Sequence, residues 1–324
     1  MISANFKTAP VRWGGLILVM IVCASCTPTP QVKSVNHQQA LHQLGIPNRV
    51  ELTQVPFFPQ TKYHCGPAAV TTLLHFQRRN ISYNDVSDKV YTPGRKGSLQ
   101  TDVITAFRRY GFMSYRLRPK LIDLFYEVAG GRPVLVLQNL GVKWIPKWHY
   151  AVVIGYDFNT QKIILRSGKY RRKVTPFKIF ERTWKRSHYW AIVALKPGEL
   201  PAIPVKTYYL HAALGLEKVK NWRGALQSYQ TAEKTWPLSL IAQIGVANTW
   251  YALGDRDKAI AKYQTIVRQF PKAADAHNNL ASLLIETKHF KQALRHVNKA
   301  IRLGGRNKAI YLKTKQQLRQ ARTK

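Results

Sequence analysis

Acidic residues are scarce in this 324-residue chain: 15 Asp plus Glu stand against 51 Lys plus Arg, a formal charge of +36. Such a field attracts anionic surfaces, whether nucleic acid, acidic lipid or lipopolysaccharide. The basic residues are spread through "FRRYG", "SGKYRRK" and "VKNWRG" and compose no nucleic-acid motif, so no specific nucleic acid is expected. A solvated basic surface and an anionic surface contact both remain open. Cysteine is equally rare, at three residues. With no HExxH spacing either, a metal site has little to be built from. Phosphate loops are absent, since "GGRP" at 130–133 lacks the Lys-Ser/Thr of a P-loop. No cofactor is implied. The apolar run "GGLILVMIV" is too short to span a bilayer comfortably. What is present is globular composition, 45% hydrophobic and 20% charged, with length for two domains that each bury a core.

That apolar run follows Lys7 and Arg12 and precedes "CASC", Cys23 to Cys26. Small residues before a cysteine resemble a bacterial lipoprotein cleavage site, although Cys23 stands where Leu is usual. The resemblance implies a signal peptide at 1–25, lipidation of Cys26 and a tether over 26–48. An uncleaved anchor and ordinary secretion are the competing readings. Thr27, where an inner-membrane retention signal has Asp, implies an outer membrane lipoprotein of the bacterial cell envelope facing the periplasm. Cys65 is then the one remaining thiol, and no internal disulfide can form.

Three prolines and a glycine in "ALKPGELPAIPVK" mark a linker, with a boundary near Pro204. Beyond it, Ala225, Ala259 and Ala293 recur at a step of 34 residues, as do Ala213, Ala247 and Ala281. Tyr229 and Tyr263, and Pro237 and Pro271, keep the same step. This is the tetratricopeptide period, with small residues where paired helices touch. Three repeats are expected over 206–307 and a polar capping helix over 308–324, because stacked units need a solvated end. Such arrays usually bind a protein partner; a passive spacer is the alternative.

The chemistry centres on "PQTKYHCGPAAVTTLL", Pro59 to Leu74. Gly66-Pro67 before "AAVTTLL" puts Cys65 at a helix N-terminus, where free N–H groups and the dipole favour a thiolate. In "KWHYAVVIGYD", His149 opens a buried strand and can act as its base. Gln60 offers an amide which, with the Cys65 N–H, could hold an oxyanion; losing one such donor costs about 3 kcal/mol. The bland readings are a core cysteine, a structural histidine and, for His64, a loop residue.

Together these motifs resemble the papain-like cysteine peptidases of the bacteriocin-processing, double-glycine leader group, over roughly Val55 to Leu195. The resemblance implies an α+β papain-like cysteine peptidase domain at 49–200, followed by the all-α tetratricopeptide-repeat array. It further implies Cys65 as nucleophile, His149 as base and Gln60 as oxyanion donor, acting on a peptide or protein substrate. Those peptidases usually orient the histidine with an Asp on the next strand, where this chain has "LRSG". A hairpin centred near Phe158 sets Ser167 across from His149, while strand rise puts Asp157 roughly 26 Å away as a turn residue. Ser167 is thus the expected orienting group, or the site runs as a Cys-His dyad. Losing the carboxylate costs on the order of 10⁴ in serine proteases, and thiol enzymes can suffer less. The expectation is a membrane-anchored peptidase positioned by its repeats. An inactive binding module and an envelope scaffold are the alternatives.

Overall fold

The computed structural model describes residues 29–323, apart from Leu41 and Lys143. Cys26 and the signal expected at 1–25 lie outside the described residues. Among the described residues no helix is long and apolar enough to cross a membrane.

Seven strands make one antiparallel sheet: β1 (Arg49–Glu51), β2 (Met113–Arg116), β3 (Val134–Asn139), β4 (Trp148–Asp157), β5 (Lys162–Ser167), β6 (Tyr170–Pro176) and β7 (Ala191–Leu195). Their order is β2-β7-β3-β4-β5-β6, with β1 pairing the far end of β4. Central strands carry continuous apolar runs because both faces are covered; every residue of β3 and β7 is buried, as are Tyr150 to Tyr156 of β4. Six helices accompany the sheet among the described residues: α1 (Pro30–Ala40), α2 (Cys65–Phe76), α3 (Tyr83–Val90), α4 (Gln100–Arg109), α5 (Leu121–Ala129) and α6 (Phe177–Lys185), with α1 and α3 packed on other helices. Nearly all of α2 is buried, so its uninterrupted "AAVTTLL" belongs to a central helix and not to an amphipathic one. Along β3 the strand alternation splits the two layers. Leu137 turns to the cleft beside Cys65, and Gln138 accepts no such place, donating instead to Thr183 Oγ1 on α6 at 2.6 Å.

The expected tether at 26–48 is ordered where it is described. Pro30 starts α1, Val32 and Val35 are buried, and the Glu181 carboxylate accepts the N–H groups of Gln31 (3.2 Å) and Val32 (2.8 Å). A carboxylate at a helix start satisfies orphan donors and opposes the dipole. That partner lies 149 residues away from Val32, so the local polar text does not reveal it.

The expected linker is also fixed. Ala202 N–H donates to Glu127 at 2.7 Å, Val205 N–H to the Tyr115 hydroxyl at 3.2 Å, and that hydroxyl to Ile203 O at 3.3 Å. Three helical pairs follow: α7 (Lys206–Lys218) with α8 (Trp222–Thr235), α9 (Leu240–Ala252) with α10 (Arg256–Gln269), and α11 (Ala274–Glu286) with α12 (Phe290–Leu303). Helix α13 (Lys308–Arg322) packs behind the last pair. All six alanines of the 34-residue step are fully buried, which is why nothing larger stands there. Two cores form: one runs from the sheet through Tyr209, Ala225 and Val246, past the linker near Pro204, and a second begins at Ala247.

Tyr115→Phe leaves the Val205 N–H without its acceptor and should cost about 1 to 3 kcal/mol, read from the urea midpoint of the full chain. An unchanged midpoint would mean that the hydroxyl does not fasten this segment.

Candidate active site

Cys65 opens α2, with His64 at the N-cap. Tyr63 before it has φ +70°, and His64 N–H donates back to Thr61 O at 3.2 Å, so a tight left-handed turn delivers the chain into the helix. Gly66 is required by a close approach: a Cβ there would lie 2.3 Å from Ser98 Oγ and 2.6 Å from Ser98 Cβ. The segment carrying Ser98 therefore closes directly over the first turn of α2. Its carbonyl accepts the Tyr150 hydroxyl at 3.4 Å, tying that wall to β4.

Gln60 is held from the other side. Its backbone N–H donates to Gly168 O at 3.4 Å, after the turn at the end of β5. The buried guanidinium of Arg166 donates to Val55 O (3.0 and 2.7 Å) and Thr53 O (3.1 Å), and also to Arg171 O. Strand β5 thus pins the stretch that leads to Gln60.

His149 lies near the start of β4, and its Nε2 is 2.8 Å from Ser167 Oγ. The pair meets, but through a different register from the one expected. A bulge between Val153 and Gly155 and a turn beginning after Asp157 set Arg166 opposite Val152. Ser167 is consequently level with Ala151 and reaches His149 diagonally, a distance that same-face neighbours can span. The direct cross-strand partner of His149 is Gln138. Asp157, expected in the turn, is the last residue of β4, paired with Lys162, and its carboxylate accepts Thr160 N–H at 3.1 Å from the turn.

Gln60, Cys65 and His149 line one cleft of about 1070 Å³, with Tyr63, Lys96 and Trp148 also on its wall. Ser167 shares a smaller adjoining recess with Gln60 and Cys65. Among the described residues the imidazole bonds to Ser167 and not to the sulfur. Burial pushes the Cys65 thiol up, against the opposing pull of backbone N–H groups at Tyr150, Gly66 and Cys65. The expected thiolate at the helix N-terminus is therefore corrected: desolvation outweighs the N–H groups in this state. Burial first, and then the charge of Lys173, hold His149 down to about 4. Thiol and imidazole are both neutral at neutral pH. His64 is engaged elsewhere, with Ser87 Oγ at 3.4 Å and stacked on Tyr91. No group of three metal-ligating side chains occurs among the described residues.

Sequence reasoning missed Tyr63, Ser98 and Arg166, whose roles depend on distant partners. It also passed over Trp144, 80% exposed on the β3–β4 connection, and Trp148, 54% exposed at the start of β4. "WIPKW" in a solvent-facing loop was the available signal.

Residues 52–192 match the Peptidase_C39 like family, and residues 251–318 match the tetratricopeptide repeat. The chain carries a C39-like peptidase domain followed by tetratricopeptide repeats. Solved structures similar to it include a Bacillus anthracis protein described as a C39-like peptidase, 17% identical with a TM-score of 0.38, covering 46% of this chain and 98% of that one. A double glycine motif protease from an AMS/PCAT transporter, in complex with its leader peptide, is 18% identical with a TM-score of 0.34, covering 44% and 94%. The Yersinia enterocolitica type III secretion translocator chaperone SycD is 15% identical with a TM-score of 0.33, covering 36% and 81%. No curated protein matches the chain.

Two pH responses follow for the C39-like domain. Because His149 titrates near 4 when folded and near 6.5 when unfolded, its contribution to stability is complete above pH 6.5 and is lost as pH falls towards 4. The urea midpoint should drop across that window, and His149→Gln should flatten the drop. Alkylation of Cys65 by iodoacetamide should be slow at pH 7 and still rising beyond pH 9, since only thiolate reacts. A plateau at neutral pH would contradict the raised thiol.

Proposed function

We propose that this chain is a cysteine peptidase that hydrolyses peptide bonds with Cys65 as nucleophile and His149 as base. The observation that carries this reading is the Ser167–His149 contact at 2.8 Å, in a cleft that also contains Cys65 at a helix N-terminus. Ser167 fixes the ring through Nε2 and leaves Nδ1 for the thiol proton. The thiolate then attacks the scissile carbonyl, Gln60 and the Cys65 N–H bind the oxyanion, and the imidazolium returns its proton to the leaving amine. Water on the acyl-enzyme completes hydrolysis. A hydroxyl orients an imidazole without supplying the negative charge that stabilises its protonated form, so turnover is slow unless substrate binding draws proton transfer forward.

The repeats position the domain on a protein partner. The chain is anchored through lipid on Cys26 in the outer membrane, facing the periplasm, and its basic surface contacts anionic lipid; the "CASC" motif and the charge of +36 support this placement. A peptide-binding module without turnover is the second reading, favoured by the raised thiol and the depressed imidazole.

The test is mass spectrometry of envelope peptides incubated with the full chain. Cys65→Ala should abolish cleavage and any covalent adduct. Ser167→Ala should lower kcat/KM by about tenfold, and Ser167→Asp should raise both the His149 pKa and the rate at neutral pH. Cleavage that persists in Cys65→Ala would remove the thiol mechanism, and intact peptides bound equally by both proteins would favour the binding module.

A further inference from the structure

A second cavity, of about 410 Å³, lies where the sheet meets the first helical pair. Its wall draws Arg108 from α4, Arg116 from β2, His188 and Tyr189 from the turn before β7, and Tyr208 and His211 from α7. No carboxylate lines it. Arg108 Nε is buried without a hydrogen-bond acceptor, and among the described residues neither Arg108 nor Arg116 takes part in an ion pair. Withdrawing a guanidinium from water with no partner is costly, and burial accordingly lowers the Arg108 pKa. Orphaned buried donors are rare in folded proteins and call for an unseen partner.

The fold also keeps space for this group. A Cβ on Gly215, inside α7, would lie 2.3 Å from Arg108 Nε and 2.6 Å from its Cζ. Glycine within a helix costs about 1 kcal/mol relative to alanine, and here it leaves room for a charge reaching across from the sheet domain. The rim is accessible, since Arg116, His188 and His211 are exposed. The nearby Glu181 carboxylate is already taken by the start of α1.

We propose that this cavity binds a compact phosphate-type anion carrying at least two negative charges. Two guanidinium groups offer the forked donors that match phosphate oxygens, and His188, His211 and the Tyr208 hydroxyl stand around them, while the Tyr189 hydroxyl is engaged by Gln31 and Glu181. A monocarboxylate would leave most of this positive charge uncompensated. The phosphate belongs either to a soluble molecule or to a lipid headgroup.

The first arm of the test titrates inorganic pyrophosphate into the full chain by calorimetry at about 0.15 M salt, where exposed charges are screened. Wild type should bind at one saturable site, Arg108→Met should bind at least about tenfold more weakly, and Arg319→Met, an exposed charge on α13, should bind like wild type. Arg116→Met tests the rim without touching the interior and should weaken binding in the same direction. The second arm sediments the chain with phosphatidylcholine vesicles containing phosphatidate. Loss of both activities in Arg108→Met assigns a headgroup, and loss of pyrophosphate binding alone assigns a soluble phosphate. Arg108→Met and Arg116→Met binding pyrophosphate as wild type does, or equal weakening by Arg319→Met, would overturn the site.

Discussion

When α2 docks its first turn against β4, the Cys65 sulfur gives up water and receives only the backbone N–H groups of Tyr150, Gly66 and its own residue. The approach is made possible by the missing side chain at Gly66, which lets Ser98 press onto the helix start. The resting chemistry follows from that contact. A largely buried sulfur prefers its proton, and a largely buried imidazole with Lys173 acting on it prefers to stay neutral. Both groups line one cleft, and neither is charged at neutral pH.

Replacing a carboxylate by Ser167 belongs to the same logic. In a chain carrying +36, with Lys173 acting on His149, an ionised imidazole has little electrostatic support. A neutral hydroxyl fixes the ring by geometry but brings no negative charge to offset Lys173. Orientation and charge stabilisation, which one carboxylate ordinarily combines, are separated here. The protein retains the first.

Much of the site was legible because its signals are local. Gly66-Pro67 announced the helix start, the buried run after His149 announced a strand, and the 34-residue alanines announced the helical pairs, since small residues there answer to neighbours at a fixed offset. Reasoning failed where the deciding partner is remote. The hairpin closes later than expected, with Asp157 opposite Lys162, and a bulge near Ile154 offsets one residue of that shift, so Ser167 arrived at His149 by a diagonal and not by the expected opposition. The stretch from Lys196 to Val205 looked loose because its prolines forbid regular structure, but Glu127 and Tyr115 were waiting for its N–H groups. Proline content predicts irregularity, which is a different property from freedom.

The unbroken packing from the sheet into α7, α8 and α9 gives those helices a mechanical character. The helices next to the sheet are seated on the edge strand β2 rather than hung from a slack cord. Shortening the chain at the prolines would bare the surface that β2 buries against α7.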